Sequence, residues 1–438
     1  MASRLDYRLL LPALLFAAPV CARAQAAAPG PTHGEGSGTS WIPAAVALPG
    51  RDWTTGGWSM MLHGLATAQW DRQDGRRGNS QLGSINWGMI MGGHPLAGGQ
   101  LTLRGMASLD VLGVTPRGYP LLLQSGESYN GQPLHDRQHP HDVLMEAGAL
   151  YDRPLAGPVS VEFYAAPVGE PALGPTAFMH RPSAMDNPTA PIGHHWQDAT
   201  HISYGVVTAG VFTPRWKIEG SAFNGREPDQ NRWNIDPVRL DSYAGRVSYA
   251  PTAEWTASAS YGFLASPDAL HPQQSQHRIT GSLMRSIALG NGGTWASTAI
   301  WGANAYSGVS GLASSLLVES EAVLGSRNSV FGRAEFVQKN SDDLALDPAA
   351  LGVSATHLFP VAAVSAGYVR EFANWTHATL GLGAMATVNF VPVGLERSYG
   401  SRTPVGFLVF FRLRPLASAM AGMQMHGMMP GGMMPNAR

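Results

Sequence analysis

Histidines and carboxylates crowd two stretches of this chain. The first is His135-Asp136-Arg137-Gln138-His139-Pro140-His141-Asp142, and the second holds Met179, His180, Met185, Asp186, His194, His195, Asp198 and His201. Neutral imidazole and carboxylate at short spacing can close on Zn(II), Cu(II) or Ni(II), and thioethers extend the range to Cu(I). The same groups can instead hydrogen-bond neighbouring carboxylates and backbone, pinning a large loop in place. Both readings stay open at this level. A third stretch carries Met420, Met423, Met425, His426, Met428, Met429, Met433 and Met434, spaced by glycine and proline that prevent a packed helix. Soft thioethers select Cu(I), so a flexible tail that captures copper is expected; a featureless extension or an oxidation buffer is the plainer alternative. No nucleophile sits in a defined turn motif, so no catalytic residue is assigned and no cofactor is required.

The remaining charges of interest lie in alternating segments. Arg104, Glu146, Glu162, Lys217, Glu219, Arg246, Arg278, Glu319, Glu321, Arg333, Glu335 and Arg412 each fall on the polar face of such a segment. In the run 330–339, Val330, Gly332, Ala334 and Phe336 share one face, while Arg333, Glu335 and Lys339 share the other. One face suits lipid and the other a wet lumen. Opposite charges on neighbouring strands can line a pore with a transverse field, or pair and close it.

Sixteen segments of this kind run from Trp58–Gln69 to Thr403–Leu413. Seven tight connections, such as Pro214-Arg215 and Pro251 to Glu254, each follow an even-numbered segment, and long connections fill the alternate places at Val111 to His141, Gly169 to Thr200 and Asn224 to Asp241. That rhythm predicts an all-β transmembrane antiparallel barrel of about 16 strands, with short turns on the periplasmic side and the histidine loops outside. A soluble β-sandwich gives no reason for short and long connections to alternate. Trp58, Trp70, Trp216, Tyr249, Trp255, Trp301, Tyr368 and Trp375 near strand ends fit interfacial aromatic girdles. The proline-rich loop around Pro171 to Pro191 implies a defined fold that can enter and narrow the lumen.

The ends and the composition agree with this placement. Arg4 and Arg8 precede the apolar run Leu9 to Val20 and the small-x-small site Ala22-Arg23-Ala24, which reads as a signal peptide over 1–24. Cys21 lies within it, so the remaining chain has neither disulfides nor thiolate sites. Residues 25–57, rich in Ala, Gly, Pro and Ser up to Gly50, read as a flexible periplasmic lead-in to a barrel over 58–414, followed by a periplasmic tail over 415–438. Charged residues are 13% and the net charge is -1, with no basic block, which argues against nucleic acid. A water-soluble domain carries about 25% charge, so much of the surface is expected to face outer-membrane lipid.

On these residues the chain resembles bacterial outer-membrane β-barrel proteins. The methionine-rich tail beside a barrel is similar to the outer-membrane proteins of copper-resistance systems, although in those the methionine-rich stretch usually comes before the barrel. That resemblance implies copper binding, efflux or resistance, with Cu(I) at the tail and the loop histidines as further ligands. The alternative is a passive porin-like channel for small polar solutes, and a homotrimer is an expectation common to large porins. A third reading, an outer-membrane hydrolase, requires turnover that depends on a histidine such as His201.

Overall fold

The computed structural model describes residues 32–416 except 310, 326 and 376. The signal segment, Cys21 and every tail methionine lie outside the described residues. Within them, sixteen long antiparallel strands close into a barrel. They are β1 Trp58–Gln73, β2 Asn86–Leu96, β3 Gly99–Ala107, β4 Leu144–Ala156, β5 Val159–Gly169, β6 Ser203–Phe212, β7 Trp216–Phe223 and β8 Ser242–Thr252. The second half comprises β9 Trp255–Leu264, β10 Gln276–Ala288, β11 Thr294–Tyr306, β12 Ala313–Leu324, β13 Asn328–Lys339, β14 Phe359–Asn374, β15 Ala378–Phe390 and β16 Val405–Pro415.

Each strand obeys the alternation read from its residues. Leu103, Phe163, Ile218, Val247, Leu316, Val330 and Phe407 stand exposed on the outer surface, while Arg104, Glu162, Lys217, Arg246 and Arg333 are buried inside. An apolar belt of this extent is unfavourable in water and is what a bilayer requires. Among the described residues no helix is long and apolar enough to cross a membrane. Aromatic side chains bound the belt at both ends. Trp216 pairs with Tyr249 next to the short turns, and Tyr243 pairs with Phe263 at the other end, their rings stacked at 5.3 Å. Tyr243 and Tyr249 lie on one strand roughly 20 Å apart along its length, close to the height of a lipid-facing band.

Closure falls between the first and last strands, Gln73 opposite Gly406 through Ala66 opposite Leu413. β1 is longer than either neighbour, and two short strands complete it. Arg51–Thr55 pairs with Trp58 to Leu62 beyond the end of β16, and Ser80–Gly83 pairs with Gln69 to Arg72 beyond the start of β2. Backbone groups facing hydrocarbon must be paired internally, so these patches are obligatory parts of the wall. Deleting residues 51–55 is expected to lower the temperature at which the barrel loses its resistance to detergent unfolding, measured by heat-dependent gel migration; an unchanged temperature would refute the patch.

Three expectations require correction. The lead-in over 25–57 is not free from Thr32 onward: His33–Glu35 pairs with Trp41–Pro43, and this hairpin packs inside the barrel. Its order comes from distant partners, because Arg104 binds Glu35 at 2.7 Å and the Gly38 carbonyl, and Lys217 binds the Thr39 carbonyl. The strand expected from His201 begins at Ser203, since His201 ends a helical turn, Ala199–His201, with its Nδ1 donating to the Asp198 carbonyl at 2.9 Å. The strand expected to reach Asp110 stops at Ala107; Asp110 instead opens a short turn and accepts the Asn86 backbone N–H at 2.6 Å.

Candidate functional site

The long connection between β5 and β6 does not extend outward. Its residues from Glu170 to Ile202 are almost all buried, folded into the barrel and held there by the charges of the wall. Arg181 donates to Asp198 and to Glu319, each at 2.6 Å, and Glu319 also accepts from Arg333 at 2.9 Å. Asp186 meets Arg412, which also reaches Glu371 at 2.5 Å, and the Asp186 backbone N–H donates to Glu321 at 2.8 Å. Arg278 donates to the His195 carbonyl at 2.8 Å, and the Gly193 N–H reaches Glu335 at 3.4 Å. Elsewhere in the lumen, Arg246 binds Glu219 at 2.9 Å, Lys217 binds Glu162 at 3.0 Å and Tyr164 donates to Glu146 at 2.7 Å.

All the lumenal charges singled out from the sequence therefore point inward and are engaged. Most of them form ion pairs, whereas Glu146, Arg278, Glu321 and Glu335 bind hydroxyl, amide or backbone groups instead. Fully buried pairs of this kind stabilise only when complete, and removal of one partner leaves a charge stranded in a poor solvent.

The two histidine stretches converge at this loop. Ligand nitrogens of His139, His194 and His195 lie within 4.8 Å of one another. His201 joins through His194, with ring centroids 5.1 Å apart, and His141 joins through His201 at 5.6 Å. Four of these rings are oriented through Nδ1. His194 donates to Asp198 at 2.7 Å, His195 to Glu227 at 2.8 Å, His141 to Asp110 at 2.7 Å and His201 to the Asp198 carbonyl. That leaves Nε2 as the lone-pair side, and on both His141 and His201 it is buried without a hydrogen-bond partner. His139 differs: its Nε2 lies 2.9 Å from Glu127.

Burial holds His139, His194 and His201 below the usual imidazole range and pushes His195 down to about 4, against the pull of Glu127. For Glu127 burial works the other way, but Arg232 and His139 outweigh it and keep the carboxyl low. Burial thus favours the neutral, ligating form of His139, His194, His195 and His201. Neutral imidazoles aimed by carboxylates are the usual arrangement around a bound transition metal. Close approach depends on Gly126, whose φ of +130° and missing side chain admit the His195 ring where a Cβ would overlap it.

Two assigned histidines lie elsewhere. His135 stands outside the cluster, sharing Asp136 with Arg77. His180 points away from it, toward His63 and Trp87. Glu127, Glu227 and Asp110, which aim the rings, were not foreseen: Glu127 and Glu227 lie in long connections with no spacing to mark them, and Asp110 was read as the end of a strand.

A closed sixteen-stranded sheet, an apolar belt, a charged interior and an infolded loop together define a transmembrane barrel of the porin-like, outer-membrane type. No family model and no curated protein sequence matches the chain. Among solved structures, an anion-selective porin from Comamonas acidovorans is similar at 11% identity, covering 82% of this chain and 100% of that one, with a TM-score of 0.49. OmpF of Salmonella typhi, in complex with daunomycin, is similar at 10% identity over 83% and 100%, and OprB of Pseudomonas putida at 9% over 82% and 94%, both with a TM-score of 0.49. The class stated above rests on the barrel's own geometry.

Proposed function

We propose that this protein is a porin-like channel of the bacterial outer membrane for small polar solutes, closed in the state described by its own infolded loop. The observation that carries this reading is the polar wall: charged side chains project into the lumen from β3 round to β16, and those that meet the infolded loop hold it through side-chain contacts. The loop is held by side chains and not by strand pairing, so it can leave while the wall stays intact. The side assignment made from connection lengths puts this loop outside the cell and both ends of the barrel chain in the periplasm. Homotrimeric assembly belongs to the same proposal. Single-channel recording in planar bilayers tests it: brief openings of the purified protein support the reading, and complete silence, in the protein and in a variant lacking the loop's ion pairs, rejects it.

A second reading is favoured by one specific observation, the convergence of five histidines with two idle, buried Nε2 atoms. In that reading the cluster binds a borderline divalent ion such as Zn(II) or Cu(II), with His194, His195 and His201 as the first ligands and His139 and His141 beside them. Copper capture by the tail remains a proposal of its own. Isothermal titration of the metal-free protein with Zn(II) tests the cluster; absence of a saturable site there rejects it.

A further inference from the structure

Phe178 links the imidazole cluster to a second buried group rich in methionine, the sulfur chamber. Its ring lies against His194 at 5.5 Å and against His141 and His201 at 6.3 and 6.1 Å, and it belongs to the same buried cluster as five methionines, Met89, Met91, Met106, Met145 and Met179. That chamber is built by register. On the inner face, His63 of β1 stands opposite Met89 of β2, and Met89 stands opposite Met106 of β3. Met145 from β4 and Met179 from the infolded loop join Met89 and Met106 in one buried cluster with Trp87. His180 follows Met179 and brings its ring to 5.2 Å from His63 and 4.9 Å from Trp87.

Methionines alone are ordinary gap-fillers, and packing would explain them. Packing does not explain His63. It is 2% exposed, and neither of its ring nitrogens has a hydrogen-bond partner. An imidazole taken out of water with both nitrogens idle is costly, and thioethers are too weak as acceptors to offset that cost. A cation accepting the imidazole lone pair together with neighbouring sulfur would satisfy one of the two nitrogens.

We propose that His63, His180, Met89 and Met106, with Met145 and Met179 closing the chamber, form a site for a soft monovalent cation, Cu(I) or Ag(I). Thioether and imidazole together select this class; divalent ions that prefer oxygen or several imidazoles find their ligands across Phe178 instead. The site depends on neither the channel reading nor the divalent one, because it shares no ligand with the imidazole cluster.

The test is an Ag(I) titration of the full-length protein in detergent, with bound ions counted by native mass spectrometry. Any ions held by the tail methionines are common to every variant, so the comparison isolates the chamber. Met89→Leu/Met106→Leu keeps the packed volume and is expected to hold one Ag(I) fewer than the parent. His194→Gln/His201→Gln is expected to keep the parent's count. Equal counts in the parent and the leucine variant would overturn the proposal, as would loss of the same ion from the glutamine variant. Should the double leucine change prevent folding, Met106→Leu alone carries the same comparison.

Discussion

Replacing Arg181 with Met should turn a mostly silent barrel into one with frequent openings, seen as a rise in current in planar bilayers. Arg181 lies wholly within the lumen between Asp198 of its own loop and Glu319 of β12. Without the guanidinium both carboxylates remain buried, and Glu319 keeps Arg333 and the Ser183 hydroxyl. Breaking a buried pair in this way costs on the order of 3–5 kcal/mol. The loss falls on docking of the loop and not on the sheet, since no strand pairing passes through Arg181. Heat-dependent gel migration should therefore stay close to that of the parent while the loop becomes sensitive to added protease. Unchanged current together with an unchanged, protected loop would reject the clamp.

The second large effect concerns the imidazole cluster. His194→Gln should abolish saturable Zn(II) binding, because His194 lies between His195 and His201 and touches both rings. Glu227→Gln should leave the ligands in place and weaken binding by about 10–100-fold, the usual cost of losing a carboxylate that aims a ligating ring. Glu227 contacts His195 at 2.8 Å through Nδ1, so its loss frees that ring without emptying the cluster. Titration calorimetry distinguishes the two outcomes. If Glu227→Gln binds as tightly as the parent, His195 is not a ligand, and the site moves to His194, His201 and His141.

The barrel was legible because each strand repeats one test. In 330–339 alone, a slip of one residue would put Arg333 and Lys339 into hydrocarbon, so alternation dictates the inner face without knowledge of the neighbours. The loop histidines were legible as residue types, and their two stretches do meet. Which rings meet was not legible: His139 reaches His195 across two separate connections, whereas His135, four residues earlier, faces Arg77 and Asp136. The infolded N-terminal hairpin was hidden for a related reason. Its strands are three residues each around a stretch of glycine, serine and threonine at 36–40, and its order is conferred by Arg104, Lys217 and Arg246, each far away in the chain. The sulfur chamber was the least visible part. His63, Met89 and Met106 are single inward residues on three strands, and only the pairing register makes them neighbours.

The seam between β1 and β16 also bears on how the molecule is made. It joins residue 73 to residue 406, so this pairing spans almost the whole sheet, and loop-closure entropy makes such contacts slow. Until that pairing exists the interior stays open to one side, and the hairpin and loop lack part of the wall that encloses them. Filling and sealing are thus coupled steps of one assembly event. A variant whose interior no longer fits should be recognised first by delayed insertion into lipid vesicles, before any change in what the finished barrel lets through.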